Sequence, residues 1–280
     1  MQLLNGKDVA AFHRNQVEQQ IAAWKKKDIQ PELAILLVGE DKPSAMYAKS
    51  MQKVAHSVGL KAEIYYRDAD VSEDEVLALI DTLNTQPAVF GILPMMPLPS
   101  QIDTQRILNR IDADKDVDGL TDSSAARLFT GKKGFVPCTP RAVMAILDYY
   151  QIRLAGKHVV LIGRSNVVGK PLAQLCLNRN ATVTICHSRT QPLQAFTKQA
   201  DIVIAAVGKA GLVTKDMIKP GAVVIDVGIN RVNGKTVGDV DFDDVSQVAA
   251  AVTPVPGGVG AVTTMMVLEN TVYGAAPKDE

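Results

Sequence analysis

A glycine-containing segment in the second half of the chain has residue types and spacing that suit a phosphate-bearing ligand. Gly163-Arg-Ser-Asn-Val-Val-Gly169 directly follows the apolar run 158–162, and Pro171 suits a first helical turn. Glycine lets the backbone approach a pyrophosphate closely, and the exposed amides at a helix start bind anions. The spacing differs from G-x-G-x-x-G, so the segment alone is equally consistent with a plain tight turn between a strand and a helix.

The end of the next predicted strand favours one class of dinucleotide. His187, Ser188 and Arg189 follow the apolar run 182–186. Enzymes that bind NAD usually have Asp or Glu at this place to accept from the ribose hydroxyl, whereas donors and positive charge suit a 2′-phosphate. The predicted cofactor is therefore NADP, and the alternative is a basic turn in solvent that binds nothing.

These segments require a parallel sheet to position them. In the second half, apolar runs predict strands at 158–162, 182–186, 202–207, 222–227 and 249–252, with helices after the first three. Such alternation is typical of a Rossmann-like fold. Small residues end the third and fourth strands, in Ala205-Ala-Val-Gly208 and Asp226-Val-Gly-Ile-Asn230, where a dinucleotide crosses the carboxyl edge of such a sheet. Glycine-rich turns of any parallel sheet are similar.

The first half also alternates strands and helices, so the fold class is α/β. Apolar periodicity predicts helices at 6–27, 44–58, 72–83 and 100–110, and strands at 33–38, 60–66 and 89–93. Ser72 and Glu75 form a capping-box signature. Residues 112–137 read as a long polar connection, and a helix follows from Pro140 to about Tyr150. The segment 264–274 is predicted to be a helix that returns to the first domain.

Composition limits the classes of function. The 30 basic and 30 acidic residues leave no net charge to concentrate nucleic acid or an anionic membrane, so we expect neither partner. The N-terminus lacks a signal peptide pattern, and no apolar run approaches the roughly 18 residues of a membrane span, which predicts a cytoplasmic protein. The cysteines Cys138, Cys176 and Cys186 lack metal-ligand spacing, so we expect small buried residues and no metal site.

Several longer motifs occur in an order that resembles one known family over essentially the whole chain. They are Val38-Gly39 with Ser44-Ala-Met-Tyr47, Gly91-Ile-Leu93 with Pro97-Leu-Pro99, Lys115-Asp-Val-Asp-Gly119, Pro137-Cys-Thr-Pro140, Gly163 to Pro171, Cys186-His-Ser-Arg-Thr190, and Thr253-Pro-Val-Pro-Gly-Gly-Val-Gly260. In these motifs the chain is similar to the FolD-type methylenetetrahydrofolate dehydrogenase/cyclohydrolases.

The resemblance implies two domains and a two-step activity. Residues 1–137 and 264–280 would form a catalytic, folate-binding domain and residues 138–263 an NADP-binding Rossmann-like domain, usually in a homodimer. Such enzymes oxidise 5,10-methylenetetrahydrofolate by hydride transfer to NADP and hydrolyse the methenyl product to 10-formyltetrahydrofolate. The implied cofactor-binding residues are Gly163, Arg164, Ser165, Ser188 and Ile229.

For the folate, the resemblance implies Tyr47 as a catalytic residue and Asp118 as the acceptor for the amino-pyrimidine edge of the pterin, a pairing that suits a carboxylate. A tyrosine that only packs one helix face is the alternative for Tyr47. The chain also departs from the family in Leu120-Thr-Asp-Ser-Ser124 and in Ala261-Val262. The first of these departures affects the shape expected for the folate pocket.

Two further departures affect the expected catalytic residues. The family has Tyr-x-x-x-Lys, which places a hydroxyl and an ammonium one turn apart, but Met51 occupies the lysine position. Lys49 and Lys53 would point about 160° and 120° away from Tyr47 on a helix. Met95 occupies the position of the family's glutamine, which interacts with that lysine. Losing the lysine alone would strand a partly buried amide at about 1–3 kcal/mol, whereas two methionines leave nothing unsatisfied.

The two replacements lead to a hypothesis about which step survives. Hydride transfer depends mainly on near-attack geometry, while attack of water on the methenyl carbon needs proton transfer that a lysine beside Tyr47 would assist. We therefore expect an NADP-dependent methylenetetrahydrofolate dehydrogenase with weak or absent cyclohydrolase activity. The alternatives are a fully bifunctional enzyme that uses other residues, a non-catalytic paralogue that binds NADP or folate, and an enzyme for another small substrate.

Overall fold

Apolar runs form the strands of two parallel sheets in a computed structural model that describes residues 1–274. The strands are β1 Gln2–Leu3, β2 Glu32–Val38, β3 Lys61–Arg67, β4 Val89–Pro94, β5 His158–Ile162, β6 Thr182–Cys186, β7 Ile202–Ala205, β8 Val223–Asp226, β9 Asn230–Val232, β10 Lys235–Val237 and β11 Ala251–Val252. The α-helices are α1 Gly6–Lys25, α2 Lys42–Ser57, α3 Glu73–Thr85, α4 Thr104–Arg110, α5 Asp122–Phe129, α6 Cys138–Tyr149, α7 Gly169–Asn178, α8 Leu193–Thr197, α9 Phe242–Val245 and α10 Val259–Tyr273.

The first compact unit, Met1–Phe12 with Thr139–Thr263, contains a sheet of six parallel strands in the order β1-β11-β8-β7-β5-β6. All four residues of β7 are buried, as expected for a strand covered on both faces. Val160, Val203 and Val224 belong to the buried core of this unit. The order places the ends of β8, β7, β5 and β6 side by side along one edge.

The second unit, His13–Cys138 with the chain from Thr264 onward, contains a sheet of three parallel strands in the order β3-β2-β4. Every residue of the central strand β2 is buried, and all of them except Glu32 are apolar. Helix α2 packs on β2 and β3. Pro43 and the side chain of Asp41, which accepts from the Ser44 amide at 2.9 Å, fix the start of this helix.

The units differ from the predicted boundaries at the N-terminus. Residues 1–12 group with the Rossmann-like unit, because Gln2 and Leu3 pair in parallel with Ala251 and Val252. Gly6 reinforces this arrangement, since a Cβ there would lie 2.0 Å from the Gly258 carbonyl oxygen. In packing, residues 1–12 belong with the Rossmann-like unit, whereas their assignment to the folate-binding domain stays a prediction.

Several elements also differ from the sequence prediction. The segment after β7 forms one 3₁₀ turn, Lys215–Met217, in place of a helix, and Gly208 and Gly211 there have φ of +66° and +61°. The polar connection 112–137 contains helix α5. Strands β9 and β10 form an antiparallel hairpin, and the final helix begins at Val259. Among the described residues, no helix has the length and apolar character needed to cross a membrane.

Candidate functional site

The loop between β5 and α7 requires glycine at both ends. Gly163 has φ +129°, and a Cβ there would lie 2.3 Å from the carbonyl oxygen of Ala206, just after β7. At Gly169, the first residue of α7, a Cβ would lie 2.6 Å from the Gly163 carbonyl oxygen. Such distances are far below van der Waals contact, so the loop lies against the neighbouring strand end only because side chains are missing here. This is the close backbone approach predicted for a pyrophosphate-binding turn.

Ser165 shapes the start of α7. Its Oγ accepts hydrogen bonds from the amides of Val168 at 3.1 Å and Gly169 at 3.3 Å. Arg164 and Ser165 are both exposed, and Lys170 binds Asn166 through its Nζ at 2.7 Å. The loop therefore presents a guanidinium beside a helix start, an arrangement that suits a phosphate group.

The other predicted cofactor residues lie along the same sheet edge. The amide of Gly163 donates to the carbonyl of Cys186 at 2.9 Å, so Ser188 and Arg189 follow directly beside the glycine loop, and both are exposed. Ile229, just after β8, exposes 68% of its surface. The edge offers hydroxyl donors, positive charge and an exposed apolar side chain. Groups of this kind suit phosphates and an apolar ring, and the assignment of these residues to NADP stays a prediction.

Two buried carboxylates, which the sequence analysis did not single out as functional, organise the loops of this edge. Asp239 accepts from the amides of Val207 at 2.6 Å, Gly208 at 3.0 Å and Lys209 at 2.8 Å. It also accepts from the side-chain amide of Asn230 at 2.9 Å. These four donors fill the acceptor positions of an ionised carboxylate, so Asp239 fixes the turn that follows β7.

Asp226 is the second of these carboxylates. It accepts from the amides of Gly228, Asp239 and Val240, each at 2.9 Å. Burial raises the pKa of the Asp226 carboxyl to about 6, although the three amide hydrogen bonds oppose this shift. Asp226 thus holds the backbone of the residue that carries the other carboxylate.

In the second unit, Tyr47 lies on α2 with 41% of its surface exposed. Removal from water raises the pKa of the Tyr47 hydroxyl, electrostatic interactions with Asp118 and Cys138 raise it further, and a hydrogen bond with the Thr264 side chain opposes them. Tyr47, Asp118, Cys138 and Thr264 are therefore close together. The tyrosine stays protonated at neutral pH and is suited to donate a hydrogen bond or a proton.

Asp118 is held by the residue that begins α6. The amide of Cys138 donates to Asp118 Oδ1 at 3.2 Å, while the Cys138 thiol donates to the Val117 carbonyl at 3.2 Å. Burial raises the pKa of the Asp118 carboxyl to about 6, against the hydrogen bonds from Cys138. Cys138 was predicted only as a small buried residue. It is buried, and its motif Pro137-Cys-Thr-Pro140 was the available signal for this additional contact.

The neighbouring aspartate in the same motif has a structural role. Asp116 is 1% exposed and accepts from the amides of Leu120 at 3.0 Å and Thr121 at 2.9 Å. Gly119 has φ +62°, and a Cβ there would lie 2.7 Å from the Pro137 nitrogen. The loop is thereby closed around Asp116, which leaves Asp118 as the partly exposed carboxylate.

The two methionines are buried. Met51 is fully buried on the face of α2 that also carries Ser44, Ala48 and Ala55, and Met95 is 4% exposed. The amide of Met95 donates to the Leu36 carbonyl at 2.8 Å, which fixes it at the end of β4. On α2, Lys49 and Lys53 are exposed. Neither lysine is among the groups that shift the pKa of Tyr47.

A parallel sheet with a glycine turn and a basic strand end defines an α/β enzyme with a Rossmann-like dinucleotide-binding domain. Comparison with known proteins narrows this class. Residues 4–118 match the model of the tetrahydrofolate dehydrogenase/cyclohydrolase catalytic domain, and residues 137–279 match that of its NAD(P)-binding domain. The chain belongs to the tetrahydrofolate dehydrogenase/cyclohydrolase family.

Individual relatives match along nearly their whole length. The bifunctional protein FolD 2 of Desulfitobacterium hafniense is 48% identical over 98% of this chain and 96% of that protein. The crystal structure of the bifunctional FolD enzyme from Campylobacter jejuni is 45% identical, with a TM-score of 0.96 over 97% of both chains.

A third similar structure bears on the cofactor. It is the Trypanosoma brucei FolD enzyme complexed with NADP and an inhibitor, 36% identical, with a TM-score of 0.89 over 95% of this chain and 94% of that one. Together, the matches confirm the predicted α/β fold with two domains, the enzyme class and the dinucleotide cofactor.

Proposed function

We propose that the protein is an NADP-dependent methylenetetrahydrofolate dehydrogenase whose hydrolysis of the methenyl product is weak or absent. One observation carries the second part of the proposal. Met51, one helical turn beyond Tyr47, is fully buried and apolar, and no described cation is among the groups that shift the pKa of Tyr47. The position that should supply an ammonium beside the tyrosine therefore supplies a thioether.

The dehydrogenase part rests on the residues at the edge of the six-stranded sheet. Ser188 and Arg189 would hold the 2′-phosphate, Gly163 and Arg164 the pyrophosphate, and Ile229 an apolar ring. When bound, NADP supplies the hydride acceptor. The protein needs only to hold both partners in a near-attack geometry, because the nitrogens beside the methylene carbon stabilise the developing cation.

The folate part rests on Asp118 and Tyr47. Above a pH of about 6 the Asp118 carboxylate is ionised and can accept hydrogen bonds from the amino-pyrimidine edge of a pterin. Tyr47, with a raised pKa, donates and does not act as a base near neutral pH. Hydrolysis of the methenyl group requires a proton acceptor or an electrostatic partner for the attacking water, and Met51 and Met95 provide neither.

A split activity assay tests the proposal. The protein is given methylenetetrahydrofolate and NADP, and NADPH, the methenyl product and the 10-formyl product are followed separately. We expect NADPH to form while the methenyl product accumulates and decays only at its spontaneous rate. Enzyme-dependent formation of 10-formyl product at a rate matching NADPH would refute the loss of hydrolysis, and absence of NADPH would refute the dehydrogenase.

The retained trio of Tyr47, Asp118 and Cys138 supports a second candidate function, a fully bifunctional enzyme that uses other residues for hydrolysis. The curated relative from Desulfitobacterium hafniense is named bifunctional, and the same assay separates the two candidates. We further propose a cytoplasmic homodimer, and light scattering of the purified protein tests the oligomeric state.

A further inference from the structure

In the turn that follows β7, three successive backbone amides already donate hydrogen bonds within the chain. The amides of Val207, Gly208 and Lys209 all point to the carboxylate of Asp239, which is itself fully buried. Consecutive amides in this arrangement form a concave anion site, and here the anion is part of the chain. The amides of this turn are therefore not available to bind a ligand, and the turn serves to shape the sheet edge.

The same carboxylate reaches the segment after β8. Asp239 accepts from the side-chain amide of Asn230, and Asp226 accepts from the amide of Gly228. Ile229, which is exposed and is proposed to contact the cofactor, lies between Gly228 and Asn230 in the sequence. The carboxylates thus fix both neighbours of Ile229.

The glycines around the two carboxylates leave no room for a side chain. A Cβ at Gly238 would lie 1.8 Å from Asp226 Oδ2, and a Cβ at Gly228 would lie 2.2 Å from Asp239 Cγ. Ala206, which precedes the turn, is also the residue against which Gly163 packs. Displacement of the turn would therefore reach the glycine loop after β5.

We infer that Asp239, backed by Asp226, is a positioning residue for the dinucleotide, because one carboxylate sets the strand-end segments 207–209 and 228–230 and, through Ala206, the loop that begins at Gly163. This inference rests on the proposed use of NADP at this edge. The carboxylate acts through the backbone turns and does not touch the cofactor itself.

Asp239→Asn tests the inference, because it preserves shape but turns an NH₂ group toward donors. NADP binding is measured by calorimetry on the full chain, and kinetics are measured for both substrates. Because each Asp239 oxygen accepts two hydrogen bonds, we expect the NADP dissociation constant and KM to rise at least about tenfold, which is the effect of losing one charge-assisted hydrogen bond alone. The KM for the folate and kcat at saturating NADP should change by less than about twofold, since the effect is confined to binding.

Asp241→Asn is the matched control. Asp241 makes the same kind of carboxylate contact, accepting from the Asp244 amide at 3.2 Å at the start of α9, but reaches no strand end of the cofactor edge. It should lower the melting temperature without changing NADP affinity. If Asp239→Asn also changes only the melting temperature, the carboxylate is merely structural and the inference is overturned.

A milder variant covers the case in which Asp239→Asn does not fold. Asn230→Ala removes a single donor from Asp239 and should weaken NADP binding about twofold to threefold. No weakening would overturn the inference, as would a wild-type protein that binds no NADP. If the wild type binds NADP and both variants bind it less well, the inference holds even when no NADPH forms from methylenetetrahydrofolate, a result that would refute only the proposed function.

Discussion

The edge of the six-stranded sheet and helix α2 both carry candidate site residues, but they use different parts of the chain. At the sheet edge, the geometry depends on backbone positions, such as Gly163 against the Ala206 carbonyl, and on carboxylates that hold amides. On α2, Tyr47 and the buried position of Met51 offer chemistry only through their side chains. A backbone site is kept as long as its glycines remain, whereas one substitution on a helix can remove a catalytic group without disturbing the fold.

The largest expected effect comes from introducing the polar pair that the family resemblance implies at positions 51 and 95. Met51→Lys with Met95→Gln should raise hydrolysis of methenyltetrahydrofolate about 10²- to 10⁴-fold, the usual contribution of a positioned proton-transfer group. The rate is measured from the loss of methenyl absorbance above the spontaneous rate. A folded double variant without this gain would contradict the proposal that Met51 and Met95 weaken hydrolysis.

Two controls accompany this variant. Met51→Leu with Met95→Leu keeps both positions apolar and should leave hydrolysis unchanged. Met51→Lys alone places an unpaired ammonium at a fully buried position and should lower the free energy of unfolding by about 3–5 kcal/mol, measured by denaturant unfolding.

Gly163→Ala tests the backbone side of the comparison. The new Cβ would lie 2.3 Å from the Ala206 carbonyl oxygen at a φ of +129°, so the loop must move away from the strand end. We expect NADP affinity to fall about 100-fold, or about 2.8 kcal/mol, by titration calorimetry.

Gly156→Ala is the control for backbone strain alone. Gly156 has φ +74°, but a Cβ there would meet nothing within 4 Å. It should cost stability and leave NADP binding intact. Equal losses of NADP affinity in the two variants would show that close approach to Ala206 is not what shapes the site.

A smaller effect is expected for Asp118. Asp118→Asn should raise the KM for methylenetetrahydrofolate about tenfold, because an amide offers one acceptor oxygen in place of a carboxylate. The exposed Asp74→Asn on α3 serves as the control and should have no effect. An unchanged KM in Asp118→Asn would remove Asp118 from the folate site.

The pH dependence of the wild type gives a second test of Asp118. Its pKa is raised to about 6, so the carboxyl is ionised above that pH and gains a proton below it. A protonated carboxyl is a poorer acceptor, and the KM for the folate should therefore rise as the pH falls below about 6. This rise should be absent in Asp118→Asn.

The smallest effect is expected for Ser165→Ala. The variant loses the acceptor for the Val168 and Gly169 amides at the start of α7, which should cost about 1 kcal/mol of stability and weaken NADP binding only a few-fold. Ser50→Ala, an exposed hydroxyl on α2, is the control. A loss of NADP affinity comparable to that of Gly163→Ala would mean that the Ser165 hydroxyl has a direct role in binding.

Local patterns predicted much of the fold. The capping box at Ser72 and Glu75 is present with both hydrogen bonds, and the apolar runs of β2 and β5 form central strands. Helix α5 was missed because it is only 8 residues long, lies within a polar connection and buries only one residue, Ser124. The β9–β10 hairpin was missed although Asn233-Gly234, at φ of +50° and +76°, is the usual signal for such a turn.

The sequence predicted only part of the candidate site, because local patterns do not reveal contacts between residues that are far apart in the chain. Gly163 follows a strand and precedes a helix, so local order alone indicated its position. The contact between Asp239 and Val207 joins residues that are 32 positions apart, and no local pattern signals it. The interpretation of Tyr47 and Met51 as a modified catalytic pair stays a prediction, because it depends on chemistry and on a resemblance.

The pairing of β1 with β11 has a consequence during synthesis. Gln2 and Leu3 leave the ribosome some 250 positions before their partners Ala251 and Val252. At a synthesis rate of about 5–20 residues per second, roughly 12–50 s pass between the synthesis of β1 and that of its partner strand β11. The second unit lies almost entirely within that interval, so its sheet can form first. Closure of the six-stranded sheet by its N-terminal strand is then a late event, and a nascent chain truncated before Ala251 should leave β1 open to proteolysis.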